Sequence, residues 1–428
     1  MSLRDLERLT AGRPSLAAWN DVVRLLAAWS GPLPLEQLEP ALAAWPGELR
    51  VASPEAWRAA RDGAPPPWWP LVRHVELERG DAPSPGALAA LARVTSLVLD
   101  NRGIGWLARL DQLPQLELLD VHALEGLTEL AALPALPALH TLRAAGCPHL
   151  EDLAGLAAQP ALHTLDLSSS YEALDLSTLP ALPALRVLAL RDSEVDALDP
   201  LARLTGLERL RLRGCKAVTD LAPLAACTRL RTLDVSRIPE LETAEPLGAL
   251  RALRTLWIDG EVVGELAALR GLPVDELVIG RAPTVDAASI ARLAALEHLQ
   301  LADVAELALA DLVGTRVARL FVVRCARVDV AGFAGLPATQ LVVEDLPSLV
   351  DLTAIGAMPA LRSLSIERCR ALVDISGLAA AHGLERLVLR NCPGVTDVSA
   401  LAALPALRQV DLSDTPVTRG LEALPSAD

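Results

Sequence analysis

Apolar residues recur along most of the chain in the pattern L-x-x-L-x-L, in which Val, Ile or Ala replaces some of the leucines. Clear examples are LHTLDL from Leu162, LERLRL from Leu207 and LRSLSI from Leu361. Successive motifs begin 21 to 23 residues apart, at positions 72, 94, 116, 139, 162, 185, 207, 230, 253, 274, 296, 317, 338, 361, 384 and 407. This sustained period predicts about 16 stacked units, because one unit is too small to bury its own apolar residues.

Within each motif, the alternation of residues predicts a short β-strand. In the repeat that begins at Leu207, we expect Leu207, Leu210 and Leu212 to project inward. Strands of successive repeats are expected to pair in parallel, about 4.8 Å apart. Counted from the first residue of the motif, the third, fifth and seventh residues are expected to face solvent on the concave side.

A second pattern, (L/V/I)-x-D-(L/I/V)-x-x-L, often follows the strand, as in VTDLAPL from Val218. Its aspartate is placed where a side-chain oxygen can cap a short helical turn. The aspartates in this position are Asp152, Asp220, Asp374 and Asp397.

Residues 1–71 lack the repeat and carry apolar residues at helical spacing. Helices are predicted over Leu16–Leu26 and Leu35–Trp45, and Ser53 followed by Pro54 predicts the start of a third. We interpret residues 1–71 as a helical cap on a repeat array that spans residues 72–428. The alternative is a partner-docking domain, which exposed tryptophans would favour. The block contains Trp19, Trp29, Trp45, Trp57, Trp68 and Trp69.

The repeat motifs resemble the short, about 22-residue class of leucine-rich repeat found in SDS22-like and internalin-like proteins. The resemblance covers roughly residues 72–420. It implies an α/β fold, a leucine-rich-repeat solenoid shaped as an open horseshoe or arc. The parallel sheet would form the concave face, with short 3₁₀ or helical turns on the convex face. We take the resemblance to indicate a bacterial protein.

Six cysteines raise the question of a metal or redox site. Five of them occupy the ninth position of their repeats, where the side chain is expected to turn inward and hydrogen-bond the backbone. These are Cys147, Cys215, Cys325, Cys369 and Cys392, and Ser170, Ser193 and Thr415 hold the same position elsewhere. Cys227 is expected to pack as a small apolar group. Since no C-x-x-C pair or zinc spacing occurs, we expect no metal and no cofactor.

Composition narrows the classes of partner. The formal net charge is −15 and the isoelectric point is about 5.0, which disfavours nucleic acid and anionic membranes. The first residues form no apolar signal segment, and no run of about 18 uncharged apolar residues occurs. We therefore expect a cytoplasmic protein. The last motif is followed by little more than LEALPSAD, so an open strand edge favours a homodimer through the C-terminal end.

The candidate binding residues lie on the predicted concave face. Arg209, Arg211 and Arg213 crowd one strand, and Asp234 on the next strand cannot neutralise all three. Acidic groups of a partner would explain the excess, although mutual neutralisation of exposed charges is the simpler alternative. Trp257 and Phe321 are predicted to point into water, where aromatic side chains typically mark binding hot spots. Val278 and Val342 complete the apolar part of the surface.

These features predict a non-enzymatic scaffold that binds a protein or peptide on the concave face of the repeats from Leu207 to Val342. The phosphate-loop, H-E-x-x-H and G-x-S-x-G motifs of common enzyme classes do not occur. His140 and His163 share one repeat position and are expected about 5 Å apart, as stacked surface imidazoles rather than metal ligands. The alternative function is a secreted effector or a regulatory, inhibitory subunit that masks a partner enzyme.

Overall fold

The computed structural model describes residues 3–77, 84–99, 104–171, 174–260 and 266–423. The chain divides into two compact units. The first consists of Met1–Val195 and Arg203–Leu207, and the second consists of Asp196–Ala202 and Glu208–Asp428.

The first unit opens with four α-helices, α1 (Leu3–Thr10), α2 (Leu16–Ala27), α3 (Leu35–Leu42) and α4 (Pro54–Arg61). The predicted helices are therefore present, and α1 is an addition that the sequence analysis missed. The hydroxyl of Ser53 accepts a hydrogen bond from the Ala56 N–H at 3.3 Å, as its predicted capping role requires. Most of the tryptophans form the core of this block: Trp29 is half-buried, whereas the buried ones are Trp19, Trp45, Trp57, Trp68 and Trp69.

The helical block is joined to the first repeat through backbone hydrogen bonds. Val51 pairs in parallel with His74, and the Arg73 and His74 N–H groups both donate to the Arg50 carbonyl, at 3.0 and 3.1 Å. The buried Arg50 side chain also donates to the Leu71 carbonyl at 2.7 Å. The segment at Val51 thus continues the strand ladder by one step. The boundary at residue 71 and the capping role remain predictions.

The main strands begin at the third position of the predicted motifs, and within each unit neighbouring strands pair in parallel, one repeat apart. In the first unit they are β1 (His74–Glu76), β2 (Ser96–Val98), β3 (Leu118–Asp120), β4 (Thr141–Arg143), β5 (Thr164–Asp166) and β6 (Val187–Ala189). In the second unit they are β7 (Arg209–Arg211), β8 (Thr232–Val235), β9 (Thr255–Asp259), β10 (Glu276–Gly280), β11 (His298–Ala302), β13 (Arg319–Val323), β15 (Gln340–Glu344), β16 (Ser363–Glu367), β17 (Arg386–Arg390) and β18 (Gln409–Asp411). A separate pair is formed by β12 (Glu306–Leu307) and β14 (Arg327–Val328).

Short helices return the chain from one strand to the next. The α-helices are α5 (Pro85–Leu91), α6 (Ile104–Leu107), α7 (Ala287–Ile290) and α8 (Thr353–Gly356). The 3₁₀ helices with assigned bounds are Gly47–Leu49, Trp69–Leu71, Leu110–Gln112, Ala154–Ala158, Leu176–Thr178, Asp199–Arg203, Ala222–Ala226, Glu245–Ala249, Ala310–Leu312, Val330–Phe333, Ser376–Ala380, Ser399–Ala403 and Leu421–Ala423. Parallel strands linked by short helical turns confirm the predicted fold class, a leucine-rich-repeat solenoid.

The predicted aspartate caps are confirmed. Asp152 and Asp220 each accept a hydrogen bond from the backbone N–H two residues later, both at 2.7 Å. Asp374 and Asp397 accept the equivalent bonds at 2.8 Å. Each carboxylate therefore satisfies an N–H group at the start of a 3₁₀ helix, where no backbone partner is available.

The eighth position of the repeat adopts a left-handed backbone conformation. In all fourteen repeats from the motif at Leu116 onward, its φ lies between 48° and 83°, and only three of these residues are glycines. Among the others, five are Asp or Asn, which tolerate this conformation, whereas residues such as Arg324 and Arg368 bear a steric cost of about 1 kcal/mol or more. A backbone hydrogen bond offsets this cost, because the Arg324 N–H donates to the Glu344 carbonyl in the next repeat at 2.8 Å.

The ninth position forms the predicted ladder. The Cys147 thiol and the Ser193 and Thr415 hydroxyls each donate to the sixth-position carbonyl of the preceding repeat, at 3.2, 2.9 and 2.9 Å. All six cysteines are buried, and none of them forms a disulfide. Burial raises the pKa of the Cys369 thiol to about 12, so this side chain remains a neutral donor. Cys227 is also buried, as expected for its packing role.

At the carboxyl end of the strands of the second unit, acidic and basic side chains alternate from repeat to repeat. Ion pairs join the acidic and basic residues of adjoining repeats. They are Asp259–Arg281 at 2.6 Å, Asp303–Arg324 at 2.7 Å, and Glu344–Arg368. Farther along, Arg390 bonds Asp411 at 2.5 Å. The first three ion pairs join residues at seventh or eighth positions of adjoining repeats, so they hold together the left-handed turns, whereas Arg390–Asp411 joins a seventh position to a fifth.

The C-terminal edge of the second unit is formed by β18, which pairs with β17 on one side. Leu421, beyond this strand, is 50% exposed. Residues 424–428, which belong to the terminus invoked for dimerisation, lie outside the described residues. The homodimer remains a prediction.

Replacing Leu210 with Ala should destabilise the second unit by about 2–5 kcal/mol, because Leu210 is fully buried and the substitution leaves a cavity in the stacked core. Urea unfolding followed by circular dichroism measures the change. Arg209→Ala, on the same strand but exposed, is the matched control and should change stability by less than about 0.5 kcal/mol. Equal effects of the two substitutions would contradict the assigned inward direction of Leu210.

The lowered pKa of Asp411 predicts that the folded protein loses stability in acid. Hydrogen bonds from Arg390, which has the largest effect, and from Ser413 lower the pKa of this carboxyl group from 3.8 to about 2. Because the pKa is depressed in the folded protein, the stabilisation is complete above pH 4 and is lost as the pH falls toward 2. Asp411→Asn should therefore reduce the pH dependence of unfolding between pH 4 and 2, measured by denaturant titration. Glu422→Gln, at an exposed position, is the control and should leave that dependence unchanged.

Candidate functional site

The strand face of the second unit carries a continuous row of fifth-position side chains. We call five consecutive residues of this row the central strip: Trp257, Val278, Gln300, Phe321 and Val342. Each lies directly opposite the next in the strand register, and all five are half-buried. At about 4.8 Å per strand, the central strip is roughly 19 Å long.

Trp257 and Phe321 are more covered than the sequence predicted. Trp257 lies in register between Asp234 and Val278, and Phe321 lies between Gln300 and Val342. Close neighbours on both sides cover part of each ring, because facing side chains on paired strands lie about 5 Å apart. Both rings nevertheless keep an accessible part on the strand face.

Beside the central strip lies a depression of about 280 Å³. Val278, Gln300 and Phe321 line it from the strip. The other side is polar and consists of third-position residues on the same strands: Glu276, His298, Arg319 and Gln340. These four residues were not predicted from the sequence, although the third positions can be aligned in the same way as the fifth positions.

The arginine cluster lies away from this depression. Arg209 is exposed, and Arg211 and Arg213 are half-buried. The depression begins at β10, three strands from β7 and therefore roughly 14 Å from the cluster. Neither these arginines nor Trp257 line it. The structure thus brings Val278 and Phe321 together and leaves the arginines as a separate patch.

Asp234 has a structural role that the sequence analysis missed. It lies opposite Arg211 in the strand register, as predicted. Its Oδ1 atom, however, accepts hydrogen bonds from the Ser236 N–H at 3.1 Å and the Ser236 hydroxyl at 2.6 Å. This carboxylate therefore holds the turn that follows its own strand.

Several third-, fifth- and seventh-position residues do not face solvent, and the prediction is wrong for them. Ala189 and Val388 are buried at fifth positions, and Ala302 and Val323 are buried at seventh positions. Gly280, also buried, shows the reason most clearly, because a Cβ atom there would lie 2.5 Å from the Asp259 carboxylate. Longer neighbours cover small residues on this face.

In the first unit, the imidazole rings of His140 and His163 lie with their centres 5.4 Å apart, in an edge-to-face arrangement. Both side chains are exposed, as stacked surface imidazoles would be. Across the described ranges, no three His, Cys, Asp or Glu side chains converge in a group suited to a metal ion. Within the same ranges, no helix is long and apolar enough to cross a bilayer.

Comparison of the structure with solved structures identifies similar leucine-rich-repeat proteins. TLR13, in its complex with ssRNA13, shares 19% sequence identity at a TM-score of 0.61 over 83% of this chain, which spans 55% of the TLR13 chain. A leucine-rich-repeat protein of Leptospira interrogans shares 16% identity at a TM-score of 0.52, over 85% of this chain and 93% of that one. An internalin, InlF of Listeria monocytogenes, shares 20% identity at a TM-score of 0.43, over 93% of this chain and 98% of the internalin chain.

No protein-family model and no curated protein matches the sequence. The structural similarity therefore establishes the fold. The chain is a leucine-rich-repeat protein in architecture, with the interior and turn ladders described above.

Trp257 should account for much of the tryptophan fluorescence that a soluble quencher reaches. Of the eight tryptophans, only Trp29 and Trp257 are half-buried, and the other six are buried. We expect Trp257→Phe to lower the fraction of tryptophan fluorescence that acrylamide quenches by about half, because two accessible rings of equal emission contribute equally. Trp57→Phe is the buried control and should leave that fraction unchanged. An unchanged fraction in Trp257→Phe would show that this ring is shielded from solvent.

Proposed function

We propose that the protein is a non-enzymatic scaffold that binds a protein or peptide on the concave strand face of its second unit. The central strip is the observation that carries this proposal. A row of half-buried apolar and aromatic side chains on a strand face offers surface that a partner can cover. Aromatic residues dominate the energetics of such contacts, because one ring removes a large apolar area from water.

The arginine patch supports a partner with acidic groups. Arg209 and Arg213 add positive charge on β7, two strands or roughly 10 Å from the first residue of the central strip, in a chain whose formal net charge is −15. Such local positive charge speeds association with a negatively charged partner and disfavours partners that are positively charged. TLR13 was solved with ssRNA, but the strongly acidic composition of this chain disfavours a polyanionic backbone and favours a protein partner.

The proposal is tested with peptides selected from a random phage-displayed library on the intact protein. The double variant Trp257→Ala and Phe321→Ala should weaken their binding about 30-fold or more, because the loss of two anchor rings costs at least roughly 2 kcal/mol. Isothermal titration calorimetry measures the dissociation constants, and thermal unfolding checks that the variant remains folded.

Tyr171→Ala is the matched control for this experiment. Tyr171 is an aromatic residue with 68% exposure, and it belongs to the first unit. Its replacement should leave binding unchanged. Peptides that bind the double variant as tightly as the unaltered protein would refute the proposed binding face.

A further inference from the structure

We infer that the depression beside the central strip receives one large apolar side chain of the partner, flanked by a basic residue that meets Glu276 and an acidic residue that meets Arg319. This inference rests on the proposed function and specifies the chemistry of the partner at that face. It concerns a different part of the surface from the arginine patch.

The volume of the depression sets the size of the apolar group. An apolar cavity of roughly 150 Å³ admits benzene, so about 280 Å³ accommodates an aromatic or large aliphatic side chain. Val278 and Phe321 supply its apolar contacts, and the Gln300 amide lies between them in the register. An amide at this place can both donate to and accept from the backbone of an extended partner segment.

Two charges lie on the polar side of the same depression. Glu276 and Arg319 occupy third positions on β10 and β13, and His298 on β11 lies between them in the register. Within the described part of the chain, neither the Glu276 carboxylate nor the Arg319 guanidinium forms a side-chain hydrogen bond or an ion pair. Their charges are therefore available to groups of opposite sign on a partner.

The distance between these charges sets the spacing of the partner residues. Two strand steps separate Glu276 from Arg319, or roughly 10 Å. An extended peptide that crosses the strands advances about 3.3 Å per residue, so its basic and acidic residues would lie about three residues apart. The apolar side chain would fall between them. A free carboxylate would meet only Arg319, and a small cation would meet only Glu276. A peptide segment can supply the basic, apolar and acidic groups together.

The test exchanges the two charges. Peptides selected on the unaltered protein should contain an apolar residue between a basic and an acidic residue. The double variant Glu276→Arg and Arg319→Glu should weaken binding of the best peptide about tenfold, because both pairings become repulsive. A synthetic peptide with its basic and acidic residues exchanged should regain affinity for this variant. Arg386→Glu, an exposed third-position residue on β17, is the matched control and should have little effect.

The outcomes separate this inference from the proposed function. If the charge exchange leaves the preference between the two peptides unchanged while Trp257→Ala with Phe321→Ala abolishes binding, the inference is overturned and the proposed binding face stands. If binding is insensitive to the loss of the two rings, or the library yields no binder, both fail. Thermal unfolding of the charge-exchanged variant shows whether any loss of affinity arises from unfolding.

Discussion

The stacking of leucines between repeats is the constraint on which the rest of this structure depends. Leu210, Leu233 and Leu256 occupy the same position in three successive repeats, and each is fully buried only because its neighbours lie directly against it. That burial requires parallel strands in register by one repeat. Since side chains alternate along a strand, the same register places the third and fifth residues together on the opposite face. The interior therefore determines where a binding surface can form.

The turn after each strand shows how the repeat keeps this register. From β3 onward, the chain reverses through a left-handed eighth residue, and in repeats such as those of Cys147 and Ser193 a ninth-position donor anchors it to the preceding repeat. The Cys147 thiol and the Ser193 hydroxyl form the same bond, and other repeats place a buried apolar residue there, so the position needs no reactive group. These apolar residues are Leu124, Ile238, Ala282, Val304 and Leu346. Cys147, Cys325 and Cys392, which suggest metal or redox chemistry in isolation, each donate to a backbone carbonyl of the preceding repeat, at 3.2, 3.6 and 3.8 Å.

The sequence predicted those features that recur at a fixed offset. The strand starts, the caps at Asp152 and Asp220 and the cysteine ladder were predictable because the same residue types return in many repeats. The left-handed eighth position was missed although eight of its fourteen residues are Gly, Asn or Asp, the types that adopt this conformation most readily, because arginines such as Arg324 interrupt the pattern. The depression at His298 was missed because it depends on the spacing of side chains from several strands. The covering of Gly280 by Asp259 likewise depends on the position of one carboxylate.

The division between an invariant interior and a variable strand face also bears on function. An interior leucine is retained because its loss leaves a cavity, whereas Glu276 and Arg319 fill no core position. Charges that lie half-buried or exposed, without an ion pair inside the described part of the chain, add little to folding stability. The proposed association with a partner would supply the opposite charges that the described part of the chain does not.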